Sequence, residues 1–162
     1  MSFLARPALR WTVALVLGAV FVYASLDKIA HPAEFARIVY HYRILGPSQS
    51  IGPWLPNLLA VTLPWIEIVA GVFLIAGLWR REAAGVLGIL LLAFIGAVSW
   101  ALLHGIDIEH CGCFTVSGPG RRAGINLLLE DLAMLAGAVV LCFGAEASRT
   151  AASLPAPEGE RA

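Results

Sequence analysis

Charge is what this chain of 162 residues has least of. Charged side chains make up 14% of it, against about 25% in soluble globular chains. Eleven basic residues meet 11 acidic ones, so the formal net charge is zero. That balance excludes the basic face of a nucleic-acid binder and the polybasic stripe of a protein held on a membrane surface. Three cysteines are too few for a disulfide framework. The four histidines are not paired within helices, which argues against heme. No internal repeat is present, and no run alternates with the period of two that marks a membrane β-barrel. Apolar side chains are what the chain has in excess: 59% of residues, with a mean hydropathy of +0.82. The polar residues left over cannot cover a water-soluble globule. This is an integral membrane protein.

A helix that crosses a bilayer needs about 20 predominantly apolar residues. Four stretches qualify, and they predict an all-α fold: a four-helix transmembrane bundle with helices at about 11–27, 58–79, 82–104 and 123–143. The membrane domain then covers 11–144, after a short tail at 1–10. Residues 145–162 are rich in Ala, Pro and Glu without an apolar face, and read as a disordered tail. The first helix has a rival reading. Arg6, Arg10, the apolar run and Val22-Tyr23-Ala24 match the three regions of a cleavable signal peptide. The length of the run, and its continuation into Asp27-Lys28-Ile29 without a turn, favour a retained anchor. On the side of the termini stand Arg6, Arg10, Arg80, Arg81, Arg149 and Arg161; opposite stand Lys28, Arg37, Arg43, Arg121 and Arg122. By the positive-inside rule the termini are expected in the cytoplasm of a bacterial inner-membrane protein, with the 104–122 loop periplasmic.

The second connection is so short that the helices on either side must be antiparallel neighbours. The first connection predicts an interfacial helix over 32–40. Pro32 suits its first turn, and Phe35, Ile38, Val39 and Tyr42 lie three and four apart. Tyr40, Tyr42 and Trp54 suit the headgroup level. Gly88, Leu92 and Gly96, and likewise Ala133 and Gly137, are spaced for close helix approach.

Cys111-Gly112-Cys113 falls in the third connection, just outside the membrane. Glycine lets the backbone bend enough for two thiols so close to pair, and the strained small ring that results is readily reduced. A redox-active dithiol is the leading reading. A soft-metal site completed by His104 or His110 is the second, and an incidental pair the third. Cys142, at the far end of the fourth helix, reads as a small buried hydrophobe.

The run Ala24-Ser25-Leu26-Asp27-Lys28-Ile29-Ala30-His31-Pro32, the segment Leu63-Pro64-Trp65-Ile66-Glu67 with Gly71 after it, and Cys111-Gly112-Cys113-Phe114 resemble the MauE branch of the DoxX-like membrane proteins. The resemblance spans about 11–143. It implies a four-helix membrane protein that helps form disulfides in a client, the small subunit of methylamine dehydrogenase, beside a thioredoxin-like partner. DoxX relatives add a link to quinone chemistry. The family pattern continues with Gly after Cys-Gly-Cys-Phe, whereas Thr115 stands here, which weakens the assignment of a particular client.

The resemblance also makes Asp27 and Lys28 candidates for the thiol site. Lys28 near either cysteine would raise its thiolate fraction, and His110 can do the same or act as a base. Adjacent residues do not share a helix face, so Asp27 and Lys28 are expected to reach different partners. Within the membrane, Glu67, Glu130 and Asp131 are expected in one layer facing the interior. Glu67 reads either as a group that handles protons or contacts quinone, or as a hydrogen bond that fixes packing. Trp65, Tyr42 and Arg43 are open as contacts to a quinone head. No covalently bound cofactor is expected. The leading function is a membrane thiol–disulfide oxidoreductase component that exchanges electrons through Cys111-Cys113 with a periplasmic thioredoxin-fold protein on one side and membrane quinone on the other. The alternatives are a soft-metal or small-solute transporter and a non-catalytic assembly subunit.

Overall fold

The computed structural model describes residues 7–42, 54–106 and 125–152. Five helices follow in chain order: α1 (Pro7–Ala30), α2 (Pro32–His41), α3 (Trp54–Ala76), α4 (Arg80–Leu103) and α5 (Ile125–Ala152). Four of them, α1, α3, α4 and α5, are long and apolar enough to cross a membrane, so the chain is a multi-pass membrane protein. Their outward faces carry large apolar side chains such as Val16, Val61, Ile89 and Leu129, as a surface against lipid requires.

Helix boundaries depart from the periodicity in physically readable ways. Apolar runs mark what lies in lipid, and helices continue past that limit. Thus α1 runs on to Ala30 and α3 begins at Trp54, at the edge of a Pro- and Gly-rich stretch. The α5 helix extends to Ala152, so the tail expected from 145 is helical over its first part; 153–162 lie outside the described residues. Conversely, α3 stops at Ala76, short of the expected 79. Gly77 takes a left-handed φ of 77°, its N–H donating to Leu74 O and that of Leu78 to Phe73 O. This closes the helix in the glycine-terminated Schellman pattern. Gly105 (φ 61°) ends α4 the same way, through Ile106 N–H to Ala101 O.

The helix pairs α1–α3 and α4–α5 make the most extensive contacts. The first is a glycine crossing. A Cβ on Gly18 would stand 2.8 Å from Gly71 O, and one on Gly71 would stand 3.0 Å from Gly18 O. The backbones touch there, and no larger residue fits. The expected small-residue face of α4 is partly used: Gly88 lies against Ala138 and Leu135 of α5, while Gly96 faces open space. Gly137 turns toward Val13 of α1 instead.

The core divides into two apolar clusters. One gathers Leu17, Phe21, Leu74, Leu87, Leu91 and Leu141. The other gathers Phe35, Ile38 and Tyr42 of α2 with Ala60, Val98, Ala101 and Leu127. The amphipathic α2 therefore folds its apolar face back onto the bundle. Tyr42 is buried there rather than standing at the headgroup level, whereas Tyr40 and Trp54 are exposed. Between the clusters lies a polar layer.

Candidate functional site

Four buried polar side chains make that layer: Ser25 and Lys28 of α1, Glu67 of α3 and Asp131 of α5. Ser25 and Lys28 are three apart and so share a helix face. Glu67 lies 13 residues past Trp54, about 20 Å along the axis. Pro64, one turn before it, is also fully buried. Proline has no N–H to give the carbonyl of Ala60, so the helix is loosened just ahead of the carboxylate.

The layer centres on an ion pair. Lys28 Nζ donates to both oxygens of Glu67, at 2.9 Å to Oε1 and 2.8 Å to Oε2. Lys28 is 1% exposed and Glu67 0%. The Ser25 hydroxyl lies 3.0 Å from Glu67 Oε2 and 2.6 Å from Phe21 O, with one proton to share between the two acceptors. Two aromatic rings close the rest of the cage. Phe35 of α2 centres 5.2 Å from Nζ and Phe94 of α4 4.9 Å, both within cation–π range. Four helices thus contribute to one ammonium.

Removing two charges from water is costly, and their attraction repays it only when geometry and hydrogen bonding are good. Here the carboxylate has both oxygens filled and the ammonium is enclosed. The pair cross-links α1 and α3 about three turns along α1 and one turn along α3 from their glycine crossing, and α2 covers it.

Asp27 goes elsewhere, as adjacent helix residues must. Its Oδ1 stands 3.3 Å from Nδ1 of the exposed His31. Asp131 shares the layer of Glu67, but Glu130 is exposed, so the three acids do not lie together. Lys28, near the C-terminal end of α1, is among the most buried side chains of the described residues. Trp65 lies outward, 57% exposed, while Tyr42 is buried. These two do not meet around one ligand. Cys111, Cys113, His110 and Arg43 lie outside the described residues. His104 stacks on Trp100 at 3.8 Å, its Nδ1 2.9 Å from Trp100 O. Among the described residues no three His, Cys, Asp or Glu side chains group as metal ligands.

At the opposite end, Arg80 stacks on Trp11 at 3.3 Å, and Cys142 packs against the first apolar cluster, its thiol 3.5 Å from Arg81 O. Cys142 is therefore at the far end of the bundle from the α4–α5 connection.

Sequence reasoning named Lys28 and Glu67 separately and missed their pairing. It also passed over Ser25, whose signal was a position three residues before Lys28, and Phe94, which nothing distinguishes from other apolar residues of its helix.

Residues 6–144 match the family described as Methylamine utilisation protein MauE. The chain belongs to the MauE family. The family match takes in the polar layer and the two cysteines of the α4–α5 connection alike. Among similar proteins, the methylamine utilization protein MauE of Paracoccus denitrificans is 30% identical over 147 residues, 91% of this chain and 75% of that protein. The MauE of Methylorubrum extorquens is 29% identical over 143 residues, 83% of this chain and 74% of its own. That of Methylophilus methylotrophus is 30% identical over 122 residues, 75% of this chain and 59% of its own. No solved structure matches.

Proposed function

We propose that this MauE-family protein is a membrane component of thiol–disulfide exchange, acting through Cys111 and Cys113 on a thioredoxin-fold partner. The observation that carries the reading is the thiol pair itself: two cysteines one glycine apart, in the connection between two membrane-spanning helices. The helix ends that bound this connection, Leu103 and Ile125, belong to the half of the bundle built around α2 and the second apolar cluster. The Lys28–Glu67 pair fixes α1 to α3 at the inner edge of that half. An α2-capped platform at the two helix ends that bound the connection supports exchange, because the pair must meet a partner disulfide in a repeatable orientation.

The step is balanced without a further reagent. A thiolate of one protein attacks the disulfide of the other, forming a mixed disulfide and releasing one thiolate. The second thiol of the attacking pair then resolves the mixed disulfide. One disulfide is reduced, one is formed, and the two electrons pass between the proteins. The proposed setting is the cytoplasmic membrane of a bacterium, with the cysteines on the periplasmic side and the exchange serving maturation of a disulfide-containing client. The relatives are methylamine utilization proteins, and a client in such a pathway is the first to try. Membrane quinone is proposed as the acceptor beyond the thiols, with Trp65, Tyr42 and Arg43 as the side chains to test against it.

Single substitutions test this. Cys111→Ser or Cys113→Ser removes the resolving thiol, so one of the two variants should accumulate a mixed disulfide with a thioredoxin-fold protein in native membranes. Non-reducing electrophoresis and mass spectrometry read the adduct. If neither variant traps a protein and the unaltered chain carries stoichiometric Zn²⁺ or Cu⁺, the thiols are metal ligands and the exchange reading fails.

A further inference from the structure

Asp131 is a buried ionisable group for which thiol exchange has no use. It is 1% exposed, and neither carboxyl oxygen has a hydrogen-bond partner among the described residues. Buried polar groups are nearly always satisfied, and those that are not call for an explanation. Asp131 lines a cavity of about 10 Å³ with Val20, Phe21 and Ala24 of α1, Leu91 and Phe94 of α4, and Met134 of α5. That is room for about one water, and no other lining side chain carries a nitrogen or oxygen to hold it. A water there would bind to Asp131.

Burial weighs most on the state of the carboxyl, and the surrounding charges come after it. From α1 the field of Lys28 reaches it, and on α5 that of the neighbouring Glu130. Lys28 is already neutralised by Glu67 of α3. The α4 helix brings only Leu91 and Phe94 to this cavity; its Arg80, Arg81, Glu82 and His104 stand at its ends. A carboxylate here would be a net negative charge in an apolar interior with no hydrogen bond to spread it.

We propose that Asp131 is a proton-binding site within the bilayer, holding a proton in the resting protein and exchanging it with a water in the adjoining cavity. On release the acid gives its proton to the water as that water passes one of its own on toward solvent, leaving a carboxylate and a neutral water; return runs the same transfers backward. While the proton is away, the ammonium of Lys28 is the positive charge whose field reaches the carboxylate among the described residues. The site makes no use of the cysteines, so it stands whether or not they exchange disulfides.

Infrared spectroscopy of the full chain in lipid nanodiscs tests the proposal. Asp27, Asp107 and Asp131 are the aspartates, and carbon-13 labelling of aspartate separates their carboxyl bands from those of glutamate. At neutral pH the unaltered protein should show one protonated-carboxyl band per chain that shifts with the label and moves in D₂O. Asp131→Asn should remove it. Asp131→Glu should keep a protonated band but make it insensitive to the aspartate label, which decides the matter even if the Asn variant fails to assemble. No label-sensitive band at neutral pH, or one that survives in Asp131→Asn, overturns the site. A band that does not move in D₂O overturns the exchange with water.

Discussion

Lys28 and Glu67 show what a single residue can settle in this fold. Each is an apparent liability in lipid, and together they make one neutral, fully enclosed unit. Glu67→Gln keeps size and one acceptor but leaves the ammonium of Lys28 without its counter-charge. Breaking a buried pair from one side typically costs about 3–5 kcal/mol, whereas replacing both partners with apolar residues is often close to neutral. Glu67→Gln is therefore expected to lower the thermal midpoint in detergent sharply, and Lys28→Met with Glu67→Leu to recover most of the loss. If the single variant is as stable as the unaltered protein, the pair does not hold α1 to α3. Ser25→Ala removes a buried hydrogen bond to a charged group and should cost about 1.5–3 kcal/mol. The sequence exposed half of this arrangement. An acid such as Glu67 inside an apolar run must face inward, but Lys28 resembles the charged end of a membrane helix. Its burial becomes evident only once α2 folds back and places Phe35 over it.

At the scale of the helix, periodicity identified all five elements because apolar spacing reports which face is covered. It found α2 from Phe35, Ile38 and Tyr42, and those residues are buried. It did not find the closest helix contact. Glycine spacing drew attention to Gly88 and Gly96 of α4, while the backbones touch at Gly18 and Gly71, one glycine on each of two helices. A crossing made of one small residue per helix leaves no periodic trace. The two classes of glycine should respond in opposite ways. Gly71→Val must displace Gly18 O and Val22 and is expected to destabilise by about 1–3 kcal/mol. Gly96→Ala meets nothing within 4 Å and should be tolerated or slightly stabilising. Thermal unfolding of both in one detergent checks the contrast, and equal losses would contradict the crossing.

For the molecule as a whole, the two apolar clusters and the polar layer between them divide the bundle into unlike halves. The half containing Leu141 and Cys142 is closed by ordinary packing and by the short turn from α3 to α4. The other half carries α2, the ion pair, Asp131 and the helix ends from which the cysteine-bearing connection leaves. Composition and four apolar runs were enough to read the membrane class, and short motifs in order were enough to read the family. The polar layer was legible only in part, since it depends on how far each helix extends beyond its apolar run. The central functional claim is that Cys111 and Cys113 cycle between dithiol and disulfide while Cys142 does not. Differential alkylation of native membranes, read by mass spectrometry of the intact chain and its peptides, measures this directly. Oxidant should protect Cys111 and Cys113 together, mild reductant should expose them together, and Cys142 should react alike in both states. Two thiols that remain open to alkylation under oxidant, with no disulfide-linked peptide recovered, would contradict the claim.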